Sequence, residues 1–279
     1  MRNFARSIGL FLALGLSEPL LAGQLEDANA AYQKQDYTAA LRLLRPLANR
    51  GAADAQFKLG YMYDNGQGVP KDYVEAAKWY RLAADQGDAW AQGYLGVLYD
   101  LGQGVPQDYA QAVKWYRLAA DQGDALAQLN LGLMYDKGQG VPKDYVQAVK
   151  WYRLAADQGD ARAQYNLGVM YDFGRGVPKD YVQAVKWYRL AADQGDARAQ
   201  SNLGAMYALG QGVPKDYVLA YMWRNLAAAG ASDADIRERA VKARDALATM
   251  MTPAQVAEAQ RMSREWQPKA TRKNYRVGW

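Results

Sequence analysis

The residue types that carry much of enzyme chemistry are missing from this chain. It has no cysteine and no histidine, which excludes thiol nucleophiles, Ser-His-Asp triads and zinc sites of the usual Cys/His kind. Carboxylates are plentiful, but most of them recur at a fixed spacing, as helix caps would. Glu258 and Glu265 do not recur; they lie seven residues apart on one predicted helix face, without an evident partner. We expect no catalytic residue, and a hydrolase would need carboxylates that converge in a pocket.

Two overlapping glycine patterns have the residue types of an ion-binding loop. Gly66-Gln67-Gly68 and its copies follow a predicted helix and lack the third glycine of a phosphate-binding loop. Read from Asp64, the same segment resembles the start of a calcium loop, but glycine stands where oxygen donors are needed and Val69 where glycine is needed. We interpret both patterns as turns, and we expect no cofactor and no metal ion.

Tryptophan and glycine both recur every 36 residues, the tryptophans from Trp79 to Trp223 and the glycines from Gly60 to Gly204. Repetition this strict predicts a stacked array of identical structural units. Five units are in phase with it, over residues 52–87, 88–123, 124–159, 160–195 and 196–231. We number them repeats 1 to 5.

Each repeat is predicted to form two helices. In repeat 2 the first helix runs from Asp88, which suits an N-terminal cap, to Asp100, before Gly102. The Gly-x-Gly-Val-Pro segment then breaks the helix, because proline lacks an N–H donor and restricts the residue before it. The second helix begins near Asp108 and ends at Gly123, so a loop of seven residues joins the two helices.

The chain outside the five repeats is predicted to cap the array. Residues 24–51 resemble a diverged helix pair that covers the N-terminal end, and residues 232–266 contain two more helices that close the other end. The second of these starts at Thr252-Pro253, where threonine caps and proline fits the first helical position. Residues 267–279 are predicted to be an extended basic tail.

Residues 1–23 have the three parts of a secretory signal peptide. Arg2 and Arg6 precede an apolar run that is too short to span a bilayer, and small residues follow it. We therefore expect an exported protein, periplasmic or secreted, with no stable transmembrane anchor once the signal is cleaved. Because the small-residue pattern at the cleavage site is weak, an uncleaved N-terminal anchor stays open as the alternative.

The net charge of +5 lies at the ends of the chain. Two arginines and one glutamate near the N-terminus contribute +1, and four basic residues of the tail contribute +4, which leaves the repeats near zero (5 − 1 − 4 = 0). Nucleic-acid binding needs basic charge on the folded body, so we expect no nucleic-acid partner.

The pattern Leu59-Gly60-x-x-Tyr63, then Gly-x-Gly-Val-Pro, then Ala76-x-x-x-Tyr80-x-x-Ala83 closely resembles the Sel1-like repeat, a relative of the tetratricopeptide repeat. The resemblance covers all five repeats. It implies an all-α fold, an α-solenoid in which helix pairs form a right-handed superhelix with the first helices on its concave face. It also implies a scaffold or adaptor role in envelope assembly, signalling or protein quality control.

Differences among the near-identical repeats point to a binding face. The columns headed by Asp54, Phe57, Lys58, Tyr61 and Asn65 vary, and at about 100° per residue they share one arc of the first helix. We predict that this arc lines the concave face and binds a partner, because exposed aromatics and arginines carry much of the energy at interfaces. The predicted partner-binding residues are Phe57, Tyr61, Trp90, Tyr94, Leu101, Leu126, Leu129, Asn130, Lys137, Arg162, Tyr165, Asn166, Phe173, Arg198 and Asn202.

Alternatives remain for this face. The variable apolar residues can instead pack on a neighbouring repeat, and the asparagine ladder at 130, 166 and 202 is either a peptide-backbone contact or a packing device. The favoured function is a non-catalytic scaffold that binds a protein or peptide segment in the cell envelope. A polysaccharide or peptidoglycan factor is the alternative, with Phe57, Tyr61, Trp90 and Tyr165 stacking on sugars.

Overall fold

The structure is a computed structural model that describes residues 18–269. The predicted signal peptide, apart from its last six residues, and the tail beyond residue 269 lie outside the described residues. The last six residues of the predicted signal peptide are helical, because the first helix begins at Glu18. The predicted cleavage point therefore falls inside a helix rather than between two elements.

The described chain is a succession of α-helices joined by turns and loops. Fourteen helices span residues 18–269 and no strand occurs among them. In chain order they are α1 (Glu18–Gln33), α2 (Tyr37–Asn49), α3 (Ala53–Asn65), α4 (Tyr73–Asp85), α5 (Ala89–Leu101), α6 (Tyr109–Asp121), α7 (Ala125–Lys137), α8 (Tyr145–Asp157), α9 (Ala161–Phe173), α10 (Tyr181–Asp193), α11 (Ala197–Leu209), α12 (Tyr217–Gly230), α13 (Ala234–Ala248) and α14 (Pro253–Glu265).

The helix boundaries follow the caps that the repeat predicts. In repeat 3 the Asp124 carboxylate accepts the N–H of Ala127 at 2.6 Å, and Asp144 caps α8 in the same way. Gly138 ends α7 in the left-handed region at φ 73°, where glycine carries no Cβ penalty. The seven-residue loop and the two-helix repeat are confirmed; the first helix begins one residue after its predicted capping aspartate.

A tyrosine packed on a glycine joins the two helices of a repeat. The Tyr152 ring is fully buried against Gly132, where a Cβ atom would lie 2.6 Å from the ring carbon Cδ1. The same contact holds in repeats 1, 2 and 4. Each buried phenol also donates to an aspartate one helical turn beyond the glycine; the Tyr152 hydroxyl lies 3.4 Å from Asp136 Oδ2. Burial raises the pKa of Tyr152 above its ordinary value, and the nearby Asp136 carboxylate adds to the shift.

Two sets of side-chain hydrogen bonds connect one repeat to the next. Buried Gln128 donates to the carbonyl of Ala120 in the preceding repeat at 3.1 Å, and Gln158 donates both to the carbonyl of Gly123 in that repeat at 3.0 Å and to Gln128 Oε1 in its own repeat at 2.8 Å. On the second helices an arginine contacts the tyrosine hydroxyl of the following repeat, as Arg153 does with Tyr171. Both sets recur with the period, so the stacking interface is repeated along the array.

The two ends of the array are covered by extra helices. Helices α1 and α2 pack on α3 through a core that contains Leu44 and Leu59. At the other end α13 and α14 pack on α12, and the Trp266 ring meets Trp223 edge to face at 6.4 Å. Lys269 then contacts Asp193, both by a backbone hydrogen bond and through its ammonium group at 2.6 Å.

A membrane span would require a longer apolar helix than this fold contains: none of the helices in the 18–269 portion is long and apolar enough to cross a bilayer.

Candidate functional site

We use the name first-helix face for the side of the first helices that is predicted to bind the partner. It comprises the exposed and partly buried residues of the five variable columns, which are headed by Asp54, Phe57, Lys58, Tyr61 and Asn65. First helices of neighbouring repeats meet at several points: Tyr61 of α3 contacts Tyr94 of α5, α5 contacts α7, and Arg198 of α11 lies over Tyr165 of α9. The face is therefore continuous across repeats 1 to 3 and across repeats 4 and 5.

Burial differs among the predicted residues of this face. Trp90, Leu126, Tyr61 and Arg198 are partly buried, and Arg162 is exposed. Partly buried residues near the middle of the first helices are Tyr94, Asn130, Tyr165, Asn166 and Asn202. Exposed residues at the ends of these helices, beside the seven-residue loops, are Leu101, Lys137 and Phe173.

Phe57 and Leu129 do not belong to the face, and their prediction as partner-binding residues is wrong. Their exposed fractions are 2% and 1%, respectively. Phe57 lies 5.8 Å from the Tyr80 ring in a stacked arrangement, so the Phe57 side chain points toward the second helix of its own repeat. Phe57 is thereby also removed from the sugar-stacking set, because a buried ring has no free face to offer.

Aromatic rings dominate the N-terminal part of the face. Tyr61 and Tyr94 meet edge to face at 5.8 Å, and Tyr94 lies 5.4 Å from buried Tyr80. Trp90 packs beside Phe57 at 6.5 Å. Burial, followed by the proximity of Tyr61, raises the pKa of Tyr94 above its ordinary value. Tyr61, Trp90 and Tyr94 are partly exposed, so the cluster offers ring edges and faces to an apolar side chain.

Arginines mark the C-terminal part of the face. Arg198 lies over the Tyr165 ring at 4.3 Å and pairs with the capping carboxylate of Asp196 at 2.8 Å. Arg162 pairs with Asp160 at 3.3 Å while half of its side chain stays exposed. The residue types of the face thus change along the array, from mainly aromatic in repeats 1 and 2 to arginine-containing in repeats 4 and 5.

The asparagine ladder packs against the core tyrosines. The side-chain amide of Asn202 lies close enough to the hydroxyls of Tyr165 and Tyr188 to oppose the rise in their pKa that burial causes, and Asn130 does the same for Tyr116. These contacts favour the packing interpretation for Asn130 and Asn202. The ladder position in repeat 1 holds Lys58, which is buried, pairs with Asp54 at 2.8 Å and donates to Asn29 of α1 at 2.9 Å.

Sequence reasoning missed Arg224 of α12. It occupies the column that holds the buried tyrosine in repeats 1 to 4, and it is only partly buried. The sequence shows that repeat 5 has arginine where the other four repeats have tyrosine. This position lies on a second helix, however, and the predicted binding face is derived from variation on the first helices alone. Within residues 18–269, no group of three acidic side chains is arranged to hold a metal ion.

The Sel1 repeat model matches six segments of the sequence, residues 28–51, 53–88, 91–124, 125–160, 161–196 and 197–232. The chain belongs to the Sel1 repeat family. The first matched segment, residues 28–51, covers α2 and the C-terminal end of α1, so the family match extends into the N-terminal pair. The match confirms the resemblance that the Leu59-Gly60 and Tyr80 pattern predicted.

Two solved Sel1 repeat structures are similar along most of the chain. One is c5321, described as a protective antigen present in uropathogenic Escherichia coli strains and displaying an SLR fold, with 38% identity over 88% of this chain and a TM-score of 0.75. This chain spans 53% of that protein's length. The other is a Sel1 repeat protein from Oxalobacter formigenes, with 34% identity, 87% of this chain and all of the other covered, and a TM-score of 0.73. No curated protein matches.

Family membership gives a general function. Sel1 repeat proteins typically mediate protein–protein interactions, and their solenoid is typically a non-catalytic scaffold. The α-solenoid class predicted from the 36-residue period is confirmed by the helical structure and by both structural relatives.

Proposed function

We propose that this Sel1 repeat chain is a non-catalytic adaptor of the cell envelope that binds a segment of a partner protein on its first-helix face. The observation that carries the proposal is the residue content of that face. Near-copies of one repeat differ there, and the differences place Trp90, Tyr61 and Arg162 where they are at least partly open to solvent. Tryptophan, tyrosine and arginine are the residues that most often dominate binding energy at interfaces.

The surface formed by the second helices supports the choice of the first-helix face as the binding surface, because it does not differ between repeats 3 and 4. The second helices α8 and α10 have the same sequence, so the exposed residues of α8, charged Lys150 and apolar Leu154 among them, recur in α10 as Lys186 and Leu190. Partner discrimination therefore belongs to the first-helix face, because it is the side on which the repeats are different from one another.

Photo-crosslinking at matched sites tests the proposal. A photoreactive amino acid replaces Arg162 on the first-helix face, with a side chain 51% exposed, or Leu154 on the second-helix face, which is 41% exposed. We expect a discrete crosslinked protein in envelope extract from position 162 only. Equal crosslinking from both positions, or from 154 alone, would place the partner elsewhere and contradict the proposal.

The glycan alternative gives a different result in the same experiment. Tyr61, Trp90 and Tyr94 are partly open rings that can stack on sugars. Peptidoglycan fragments retained by the protein, together with no crosslinked protein from position 162, would favour that alternative. A protein crosslink that persists in excess peptidoglycan fragments supports the adaptor.

Export is the second part of the proposal, and residues 1–23 support it with their basic, apolar and small-residue parts. A fusion of these residues to a reporter that is active only outside the cytoplasm tests it. We expect reporter activity that is lost when charged residues interrupt the apolar run. An inactive fusion would place the adaptor in the cytoplasm.

A further inference from the structure

A tyrosine–aspartate pair is repeated in four of the five repeats and replaced in the fifth. Its members in repeat 4 are Tyr188 and Asp172, whose hydroxyl and carboxylate oxygens are 3.1 Å apart. In repeat 5 the tyrosine position holds Arg224 and the aspartate position holds Ala208. The carboxylate that would neutralise an arginine here is therefore absent from the very repeat that has the arginine.

The Arg224 side chain follows the path of the tyrosines. A Cβ atom on Gly204 would lie 3.0 Å from Arg224 Cγ, as a Cβ on the equivalent glycines would meet the tyrosine rings. Its guanidinium nitrogen Nη1 donates to Ser201 Oγ at 2.5 Å. Over the described part of the chain, no ion pair is formed by this guanidinium.

A partly buried guanidinium without an anion has lost part of its hydration, and no ion pair offsets that cost. Desolvation by burial lowers the pKa of Arg224 below its ordinary value, with no nearby carboxylate to oppose the shift. Its planar group offers several donors arranged to match a carboxylate, and Ser201 uses one of them. An arriving carboxylate would gain charge-assisted hydrogen bonds and restore the charge balance of the site.

Ser201 places the site beside the first-helix face. Ser201 is partly buried and lies on α11, one helical turn after Arg198, so the two side chains share a face of that helix. Arg198 in turn stacks on Tyr165 of α9. The guanidinium of Arg198 is already paired with Asp196, whereas that of Arg224 is not, so Arg224 is the group that can accept a new anion.

We propose that Arg224, with Ser201, binds a carboxylate of the partner segment at the C-terminal end of the first-helix face. The occupant is an acidic peptide segment that places a carboxylate at repeat 5 and apolar side chains toward the rings of repeats 1 and 2. This inference rests on the proposed function for the rest of the segment. The carboxylate site itself can be tested without any partner.

NMR titration with small carboxylates tests the site. The probes are N-acetylglycine, which mimics a peptide C-terminus, and N-acetylaspartate methylamide, which mimics an acidic side chain. Their controls are N-acetylglycinamide and N-acetylasparagine methylamide. We expect a saturable shift of the Arg224 side-chain and Ser201 amide signals with a carboxylate, at least about tenfold weaker with its amide. Equal shifts with carboxylate and amide would overturn the proposal.

The repeat itself supplies the matched variant. Arg224→Tyr with Ala208→Asp installs the pair that the other four repeats already contain, so the double variant should fold, and its carboxylate binding should disappear. Arg224→Gln, which keeps a polar side chain of smaller size, is the second variant and should bind at least about tenfold more weakly. Carboxylate binding by the double variant at the wild-type level would refute the site.

Crosslinking at position 162 separates this inference from the proposed function. A partner captured by the wild type and lost from the double variant supports both. A partner captured equally by both proteins leaves the adaptor in place and overturns the assignment of its carboxylate to Arg224. If the carboxylate binds but no protein is captured, the result supports the carboxylate site at Arg224 and contradicts the proposed adaptor function.

Discussion

At the scale of single residues, the contact between Gly132 and Tyr152 sets the distance between the two helices of repeat 3. A Cβ atom on Gly132 would meet the buried ring at 2.6 Å, and the ring has no space to withdraw. We expect Gly132→Ala to lower the free energy of unfolding by about 1–3 kcal/mol, the usual cost of overpacking. Urea unfolding followed by circular dichroism measures it.

Gly93 provides the control for that substitution. It is also helical, but a Cβ atom there would lie 3.6 Å from Asp124 Oδ1, an ordinary contact. Gly93→Ala should therefore stabilise the protein by about 0.5–1 kcal/mol, because alanine loses less backbone entropy than glycine in a helix. A similar loss of stability in both variants would show that the tyrosine contact is not the cause.

The buried phenols predict loss of stability at high pH. Burial, before the nearby aspartates, raises the pKa of Tyr116, Tyr152 and Tyr188 above the value of 10.0 that an unfolded chain would have. The unfolded chain then releases protons that the folded protein retains, so the free energy of unfolding is fully present below pH 10.0 and falls as the pH rises further.

Urea unfolding between about pH 8 and about pH 11 measures this dependence. Tyr152→Phe removes one of the titrating groups and should make the decrease shallower. A pH dependence that is unchanged in Tyr152→Phe would mean that other groups, such as surface lysines, control the alkaline transition.

Comparison among repeats predicted some residues of the site and not others. It placed Trp90 and Arg162 at accessible positions, but it put Phe57 and Leu129 there as well. A position can differ among repeats without being exposed, because surrounding side chains can compensate for a change in the volume of a buried side chain. Phe57 is large where repeat 2 has Gly93, and Tyr94 fills the space beside Phe57 at 5.8 Å. Side chains from neighbouring helices fill the same space in the core, and the variation at one repeat position alone does not show this.

At the scale of elements, buried glutamines fix one repeat on the next. Gln128→Leu removes the buried hydrogen bond to the Ala120 carbonyl and one of the two acceptors of the Gln158 amide, which keeps its bond to the Gly123 carbonyl. We expect the free energy of unfolding to decrease by about 1–3 kcal/mol. Gln147→Leu in the first turn of α8 is the control and should change it by less than about 0.5 kcal/mol. Equal effects would mean that the interface does not depend on this bond.

The elements themselves were predictable because each boundary has a local cause. Aspartate caps, glycine at the helix ends and the Gly-x-Gly-Val-Pro loop act within a few residues, so the sequence shows them directly. The N-terminal start of α1 was not predicted, since the polar and apolar residues around Glu18 also fit the end of a signal peptide. The role of Arg224 depends on contacts with α11, which no local pattern contains.

At the scale of the whole molecule, the array should tolerate the loss of one complete repeat. Deleting residues 124–159 joins Gly123 to Asp160, which caps its helix with the same backbone angles as Asp124, within a degree. We expect the fraction of helix to be retained and the urea m-value to fall by about one seventh, since one of seven helix pairs is removed. Circular dichroism and urea titration give both quantities.

A deletion of half a repeat is the control. Without residues 124–141, helix α8 would follow α6, and its tyrosine would have no glycine to pack on. This variant should fail to form a cooperative structure. If it unfolds like the complete-repeat deletion, the 36-residue unit is not the unit of stability.

The neighbour-to-neighbour pattern of helix contacts has a consequence for the speed of folding. The main packing of each helix from α1 to α12 is with the helices before and after it in the chain, so contacting residues are close in sequence. Chains of low contact order fold rapidly, because little loop entropy is lost before contacts form. Nearly identical neighbours also make it easy for a helix to dock on the wrong copy. Side chains that differ among repeats and lie at contacts between them, such as Phe57 beside Trp90 and Tyr94, would favour docking on the correct neighbour while the chain assembles.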